Sequence, residues 1–445
     1  MIPNRIEVAV IGGGLAGILA AYFASKKVGK ENVAIFSKAE GATALMAGTF
    51  DIFGYNPING ELLFSGEEGI RIAADFLPNH PYTIVGKRNG NDLGKPVAER
   101  TLSYLNSALS EFQKLTENIL FGDINKNALM PTTLGTYTAT AFYSPSMKKG
   151  VLDDLNDKKV FFVGIKGYGD FHPYYVAKCL EYNAKRYGIS LTAEASIKVK
   201  VPNIDMTSNL DPFTISRALD DDLIFNEFIK TLEENLDLSG VSHIAFPPVL
   251  GFKKFRERYQ ELGDALGLEV FEIVSPPPTS AGLRILEILR KNTDIKIYRG
   301  DVYSFIARNG SIEELLINDY GNKYRVKVSK VILATGKFIS DGIVQEGRKI
   351  RERIFELPIF DGNNWVREYW PLKLTEAKFF NRVMHRFIRI GVKVNQDMQP
   401  LNLENEVAYE NLYAAGSVIG GYNYPYEKNG FGVALTTAYV AGNKI

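Results

Sequence analysis

The sequence predicts an α/β protein, a Rossmann-like parallel sheet that carries an antiparallel β-meander and is interrupted by an inserted α+β cap. Three stretches predict it. The apolar run Ile6-Glu7-Val8-Ala9-Val10-Ile11 feeds into Gly12-x-Gly14-x-x-Gly17 and then into helix-forming residues. That strand–turn–helix context makes a glycine pattern a dinucleotide-binding candidate. A second hydrophobic strand, Lys330-Val331-Ile332-Leu333, ends in Ala334-Thr335-Gly336. A third passage, Asn411-Leu412-Tyr413-Ala414-Ala415-Gly416-Ser417 followed by Gly420-Gly421 and by Asn429-Gly430-Phe431-Gly432-Val433, again reads as strand, glycine turn and helix start. In a doubly wound sheet such turns converge at the carboxyl edge, where ligands bind.

The elements follow in order. Gly12 permits the tight turn, Gly14 lets a backbone approach a pyrophosphate, and Gly17 lets the helix lie close on the strand. The helix, predicted over 15–27, opens with Leu15 and Ala16, whose N–H groups and positive dipole end suit phosphate. A strand at 33–36 completes a βαβ unit. The ribose-binding acid usual after that strand is replaced by Ser37, followed by Lys38. The small-residue stretch 42–51, with Gly48 and Thr49, suits close approach to a flat ring. A mixed, mostly helical region follows, with a helix over 98–117. Strand 159–164, helix 174–187 and strand 190–200 read as a second βαβ unit that resumes the sheet. An acidic helical stretch begins at 220, and the run Pro276-Pro277-Pro278 delivers a helix over 283–291 with Thr279 or Ser280 as N-cap. Short strands at 295–298, 302–308, 313–318 and 324–328, punctuated by Asn309-Gly310 and Gly321-Asn322, give the antiparallel meander. The resulting division assigns 1–60, 158–200, 292–345 and 396–445 to a discontinuous nucleotide-binding domain. It leaves 61–157, 201–291 and 346–395 as cap and substrate insertions.

Composition narrows the function. A chain of 445 residues, 45% hydrophobic and 23% charged with formal net charge +1, is globular and has no electrostatic bias towards nucleic acid. The single cysteine, Cys179, cannot form an intrachain disulfide, a redox-active pair or an iron–sulfur ligand set, and it points to a reducing, cytoplasmic setting. None of the four histidines (His80, His172, His243 and His385) lies at zinc-site spacing from another, so no metal is expected. No apolar run approaches the ~20 residues of a membrane span, and the glycine motif within the opening run argues against a cleaved signal peptide.

Taken together, the glycine-flanked strand ends resemble the flavoproteins with a glutathione-reductase-like FAD domain. In that family the Ala-Thr-Gly strand end and the carboxy-terminal Ala-Ala-Gly stretch line the flavin, and the last helix points at its pyrimidine edge. The resemblance assigns the cofactor to Gly12, Gly14, Leu15, Ala16, Gly17, Ser37, Lys38, Gly48, Thr49, Ala334, Thr335, Gly336, Gly416, Ser417, Gly430, Gly432 and Val433. Gly48-Thr49-Phe50-Asp51-Ile52, Asp170-Phe171-His172-Pro173, Pro277-Pro278-Thr279-Ser280-Ala281-Gly282-Leu283-Arg284, the segment Ala334 to Gly342 and the segment Asn411 to Tyr422 also appear in this order. This series is similar to the B component of anaerobic glycerol-3-phosphate dehydrogenases. It implies oxidation of sn-glycerol 3-phosphate to dihydroxyacetone phosphate. The implied partners are a catalytic flavoprotein subunit and an iron–sulfur membrane-anchor subunit, with the complex peripheral on the inner face of the membrane. Ser37 and Ser417 replace the acids that commonly hold the sugar chains, weakening each bond by ~1 kcal/mol. FMN is the alternative cofactor, but a pyrophosphate-cradling turn favours FAD. No second Gly-x-Gly-x-x-Gly follows a strand, so no separate NAD(P)H domain is expected.

A phosphorylated substrate over a flavin needs fixed cations and a general base. His172, Arg284, His385 and Glu427 are the catalytic candidates. Arg367, Arg382 and Arg386 lie near the aromatic residues Trp365, Tyr369 and Trp370, and Asn423, Tyr424, Tyr426 and Lys428 surround Glu427. Two other readings stay open. One is a self-contained flavoenzyme of the fumarate-reductase or ketosteroid-dehydrogenase kind; the other is a flavin-binding electron-transfer subunit with no substrate chemistry.

Overall fold

The computed structural model describes residues 2–87, 96–204, 209–368, 371–378 and 385–445. The chain opens with β1 (Arg5–Ile11), α1 (Leu15–Val28) and β2 (Val33–Ser37), followed by helices α2 (Gly66–Phe76), α3 (Pro81–Gly86) and α4 (Val97–Leu115). Next come β3 (Lys158–Ile165), α5 (Pro173–Ala184), β4 (Leu191–Val199), α6 (Asp222–Asn235), β5 (His243–Phe246), α7 (Phe255–Leu266), β6 (Glu269–Glu272) and α8 (Ser280–Thr293). The last elements are β7 (Lys296–Arg299), β8 (Asp301–Arg308), β9 (Ser311–Asp319), β10 (Asn322–Leu333), β11 (Leu412–Ala414) and α9 (Gly430–Asn443).

Two compact units result. The first comprises Met1–Thr43, Asp51–Glu117 and Leu286–Ile445, and the second Ala44–Phe50 and Asn118–Ile285. The first is built on a seven-stranded sheet in the order β7-β2-β1-β10-β9-β8, with β11 also paired to β10. Strands β7, β2, β1, β10 and β11 run parallel, and β8, β9 and β10 form the antiparallel meander. Register places Phe36, Ile11, Leu333 and Ala414 side by side, so the glycine turns after β1, β10 and β11 emerge along one carboxyl edge.

Two local expectations change here. The strand expected at 295–298 is β7, which leaves the meander and pairs parallel with β2. The two strands expected at 324–328 and 330–333 are one strand, β10, whose exposure pattern alternates in its first half and turns fully buried over Val331–Leu333.

Helix α1 is apolar almost all round because it is buried. Leu15, Ile18, Leu19, Ala20, Ala21, Phe23 and Ala24 are all core residues. It packs against α9, with Phe23 edge-on to Tyr439 at 5.0 Å between ring centroids. Helix α4 joins them through Phe112, edge-on to Phe431 at 5.1 Å. Its buried residues Thr101, Leu102, Leu105, Ala108, Leu109 and Phe112 recur at helical spacing. Each fully buried aromatic or leucine side chain contributes on the order of 2–3 kcal/mol. Residues 61–117 and 346–395, expected as insertions, therefore fall within the first unit.

The second unit holds its own parallel sheet, in the order β6-β5-β3-β4. The segment 158–200, expected to resume the first sheet, forms half of this one instead, with β3 and β4 paired parallel from Lys158↔Leu191. Phe161, Phe162, Leu180, Phe228, Ile244, Phe246 and Phe271 fill its core. Asp221 caps α6 by accepting from the N–H groups of Leu223 and Ile224. Among the described residues no helix is long and apolar enough to cross a membrane.

Candidate flavin-binding site

The first glycine turn is fixed by contacts that leave no room for side chains. Gly12 has φ +118°, and a Cβ there would strike the Ala334 carbonyl. A Cβ on Gly17 would run into the Gly12 carbonyl oxygen. These two positions bind the start of α1 to the ends of β1 and β10. Gly12 N–H donates to Phe36 O at 2.9 Å and Ala334 N–H to Ile11 O at 2.9 Å, tying three strand ends together. The third turn closes on them from β11. Gly416 N–H donates to Thr437 Oγ1 of α9 at 2.9 Å, and a Cβ on Gly416 would lie 2.5 Å from Ala16 Cβ. Ser417 approaches Gly336, where an added Cβ would sit 3.5 Å from the Ser417 hydroxyl.

The N-terminus of α1 has no acidic residue in its first turn and no side-chain cap from Gly14. Thr43 Oγ1 accepts from Leu15 N–H at 2.8 Å, while Ala16 and Gly17 keep first-turn N–H groups with no intrahelical acceptor. Ser37 behaves differently from its expected role. Its hydroxyl accepts from Gly13 N–H at 3.0 Å and donates to Ala39 O at 2.7 Å, so its proton is engaged in holding the turn and is not free for a ribose. Ser37→Ala is accordingly expected to lower folding stability by about 1 kcal/mol, measured by urea unfolding. Lys38 Nζ pairs with Asp341 at 2.5 Å at the surface, which holds that carboxyl below its usual range.

The entry to α9 is the second convergence point. Asn429 is its N-cap, with no acid in the first turn, and is fully buried. His80 Nδ1 accepts from Tyr82 N–H at 3.1 Å, which puts the proton of a neutral imidazole on Nε2. That nitrogen faces Glu427 Oε2 at 3.3 Å, and Asn429 Nδ2 donates to the same oxygen at 2.6 Å. Glu427 Oε1 accepts from Asn423 N–H at 3.0 Å. Glu427 is thus buried and fully occupied as an acceptor, and it fixes the orientation of the Asn429 amide. Asn429 Oδ1 is left buried without a partner, as is Thr335 Oγ1. Buried orphan polar atoms are uncommon, and these two lie in the turn after β10 and at the start of α9. Gly432 N–H is already bonded to Asp51 O at 3.0 Å and its face packs on the Tyr82 hydroxyl, while Val433 is buried; of the candidates in this helix, Gly430 is the more open.

Lys337, directly after Gly336, was not singled out by sequence. Its side chain is buried, Nζ donates to Ile388 O at 2.5 Å, and the amine stands 5.1 Å from the centroid of the Tyr422 ring. Burial pushes the amine down to about 7, with Glu427 opposing that shift. Burial also drives the Tyr422 and Tyr82 phenols well above the ordinary tyrosine range, keeping both neutral. His80 was likewise missed. The signals were a lone lysine following Ala-Thr-Gly and a histidine ahead of a helix-starting proline.

The remaining candidates divide between the units. His385 Nδ1 accepts from Glu376 N–H at 2.9 Å and its ring stacks on Phe387. Arg386 and Arg389 both pair with Asp361, and Arg367 lies over the Trp365 ring at 5.8 Å. Lys428 pairs with Asp51 at 2.8 Å. Tyr369, Trp370 and Arg382 lie outside the described residues. Gly48, Thr49, His172 and Arg284 are in the second unit. There Gly48 packs on Met147, Thr49 pairs with Tyr143 and His172 is an exposed residue at the start of α5. The reading of Arg284 as a substrate cation changes. It is buried in an ion pair with Glu272, at 2.7 and 3.0 Å, and also donates to Gly251 O.

The model for the FAD binding domain matches residues 7–199 and 312–433, more than half of the chain. The chain belongs to the FAD binding domain family. It is an FAD-dependent oxidoreductase by superfamily, and the unpartnered groups around the three turns are polar donors and acceptors of the kind that cofactor requires. Full-length relatives are named as the B component of anaerobic glycerol-3-phosphate dehydrogenase. The probable one from Halobacterium salinarum strain ATCC 29341 is 26% identical over 98% of this chain and 96% of that one. Its counterpart in Pasteurella multocida strain Pm70 is 26% identical over 99% of both chains. The protein of that name from Haemophilus influenzae strain 86-028NP is 28% identical over 99% of both chains. Among solved structures, a 3-ketosteroid Δ1-dehydrogenase from Sterolibacterium denitrificans is 12% identical over 99% of both chains, with a TM-score of 0.41.

Proposed function

We propose that this FAD binding domain protein is the flavin subunit of a quinone-linked glycerol-3-phosphate dehydrogenase, oxidising sn-glycerol 3-phosphate to dihydroxyacetone phosphate within a multisubunit complex. The observation that carries this reading is the similarity to the glycerol-3-phosphate dehydrogenase relatives along the whole chain, at 98–99% coverage. The site supports it chemically, since three glycine turns meet at one sheet edge with two uncapped helix starts beside them.

FAD, when bound, supplies the acceptor for two electrons. The chain's own residues do the rest. The N–H groups of Ala16 and Gly17 would hold the pyrophosphate, Thr335 and Ser417 would offer hydroxyls to the sugar chain, and Asn429, locked by Glu427 and His80, would offer its unpartnered carbonyl oxygen as an acceptor. Glu427, with both oxygens occupied, acts as the positioning residue for Asn429. The first unit is the flavin domain in this reading.

Two measurements on the purified chain test the proposal. It is expected to be yellow and to release FAD, not FMN, on denaturation, identified by mass. Anaerobic sn-glycerol 3-phosphate is expected to bleach the flavin band. A colourless protein would sink the cofactor assignment. Bleaching that occurs only when a co-purified partner is present would assign the substrate chemistry to that partner.

A further inference from the structure

An ammonium carries three donors, and among the described residues Lys337 Nζ has one acceptor, the Ile388 carbonyl at 2.5 Å. No carboxylate lies within ion-pair distance of it among the described residues. Glu427 acts on it through space only, and that carboxylate is already bound by Asn423, Asn429 and His80. Among the described residues, the other groups around the amine offer it no negative charge. Tyr422 presents its ring face and keeps its phenol protonated, and Arg386 and Arg389, on either side of Ile388, are both paired with Asp361. A permanently charged lysine in this position would be among the costliest arrangements a core can hold. A neutral amine is not costly, and it becomes an ammonium readily when a negative charge arrives nearby.

The placement says where that charge would come from. Lys337 is the next residue after the Ala334-Thr335-Gly336 turn, and its amine reaches across to Tyr422 of the glycine loop that follows Ser417. It therefore spans the turn on which Thr335 Oγ1 stands orphaned and the turn that carries Ser417. We propose that Lys337 is the proton-accepting group of the flavin site, a neutral amine beside the oxidised cofactor that becomes an ammonium as two electrons enter. With a secondary alcohol as donor the balance closes. The C–H bond breaks and its hydride passes to FAD, the O–H proton goes to the Lys337 amine, and the products are a ketone, the anionic reduced flavin and an ammonium. The charge that appears on the flavin is thereby matched by one on the protein. This rests on the assignment of the flavin to the first unit, and it holds whatever the physiological alcohol is. The shifted basicity of the amine agrees with it, since burial leaves the group able to change state near neutral pH.

The test is a reductive titration of the FAD-loaded protein with dithionite and equilibrated dyes, following midpoint potential from pH 7.5 to 9. No polyol is involved, so failure of the glycerol-3-phosphate reading leaves the outcome untouched. The wild type is expected to take up two protons per two electrons over this range. Lys337→Met is expected to take up one, halving the slope of potential against pH and lowering the potential at neutral pH. Lys337→Arg keeps a fixed charge, so the slope is expected to halve while the potential is not lowered. A lysine that merely supports the Ile388 carbonyl would change neither slope. If both variants fail to fold or to hold FAD, the wild-type slope still decides, because one proton per two electrons across the range overturns the proposal.

Discussion

Gly17→Ala is expected to yield a chain that has lost its flavin. The new Cβ would lie against the Gly12 carbonyl oxygen, closer than real carbon atoms approach a backbone oxygen, and neither partner can move freely. Gly12 N–H is bonded to Phe36 and its own backbone abuts Ala334, while α1 is packed along its length on α9. Relief would have to come from lifting the first turn of the helix, which carries the N–H groups of Ala16 and Gly17 away from the phosphates. Forcing extra carbon into a packed contact costs about 1–3 kcal/mol. At the upper end this corresponds to roughly 100-fold weaker cofactor binding. The ratio of flavin to protein absorbance, followed by titration of the apoprotein with FAD, measures it. Gly14→Ala is the companion variant: within the protein the added Cβ meets only the Thr43 hydroxyl at 3.2 Å, so folding stability should fall far less than in Gly17→Ala, and flavin lost there without a drop in stability reports close approach of the pyrophosphate to Gly14. Equal flavin content in Gly17→Ala and wild type would show that α1 does not carry the phosphates.

Arg284→Met is expected to destabilise the second unit by about 3–5 kcal/mol, because it leaves Glu272 charged and buried without its partner. Glu272 also accepts from the Ser146 hydroxyl and Leu250 N–H at 2.7 Å each, and Arg284 stacks over Phe255 at 4.9 Å. The network is complete, and its loss should appear as a lower midpoint in urea. Replacing both charges, with Glu272→Leu and Arg284→Met together, should recover only part of that loss, since no charge is left unpaired but Leu250 N–H, the Ser146 hydroxyl and the Gly251 carbonyl lose their partners. The contrast with a substrate-binding role is sharp. A phosphate-binding arginine would show a raised KM at unchanged stability, and that result would overturn the structural reading.

The amino-terminal βαβ unit was legible in the sequence because everything that defines it is local: an apolar run, glycines at fixed spacing and a helix. The turns at Gly336 and Gly416 were legible for the same reason. What failed was the choice of partner. Residues 158–200 show strand, helix and strand clearly, yet nothing local says which sheet they enter, and they build the second one. Strand β10 was divided in two because its pattern changes midway. Its first half faces solvent on one side of the meander and alternates, and its last three residues are buried on both faces and do not. At the site, Glu427 stood out as a catalytic candidate from its position in the loop before the last helix, whereas the structure has its oxygens engaged by Asn423, Asn429 and His80. Lys337 and His80 were missed because composition rules place charged and titratable residues outside, and these two are inside.

The pairing of β1 with β10 has a consequence for how the protein is made. Ile11 and Leu333 are neighbours in the sheet but roughly 320 residues apart in the chain. At ribosomal speeds of about 5–20 residues per second, the first strand waits on the order of 15–65 s for its partner. During that interval its hydrogen-bonding edge and the apolar side chains of Val8, Val10 and Ile11 have no native cover from β10. The flavin platform is assembled late, only after β10 and β11 have been synthesised.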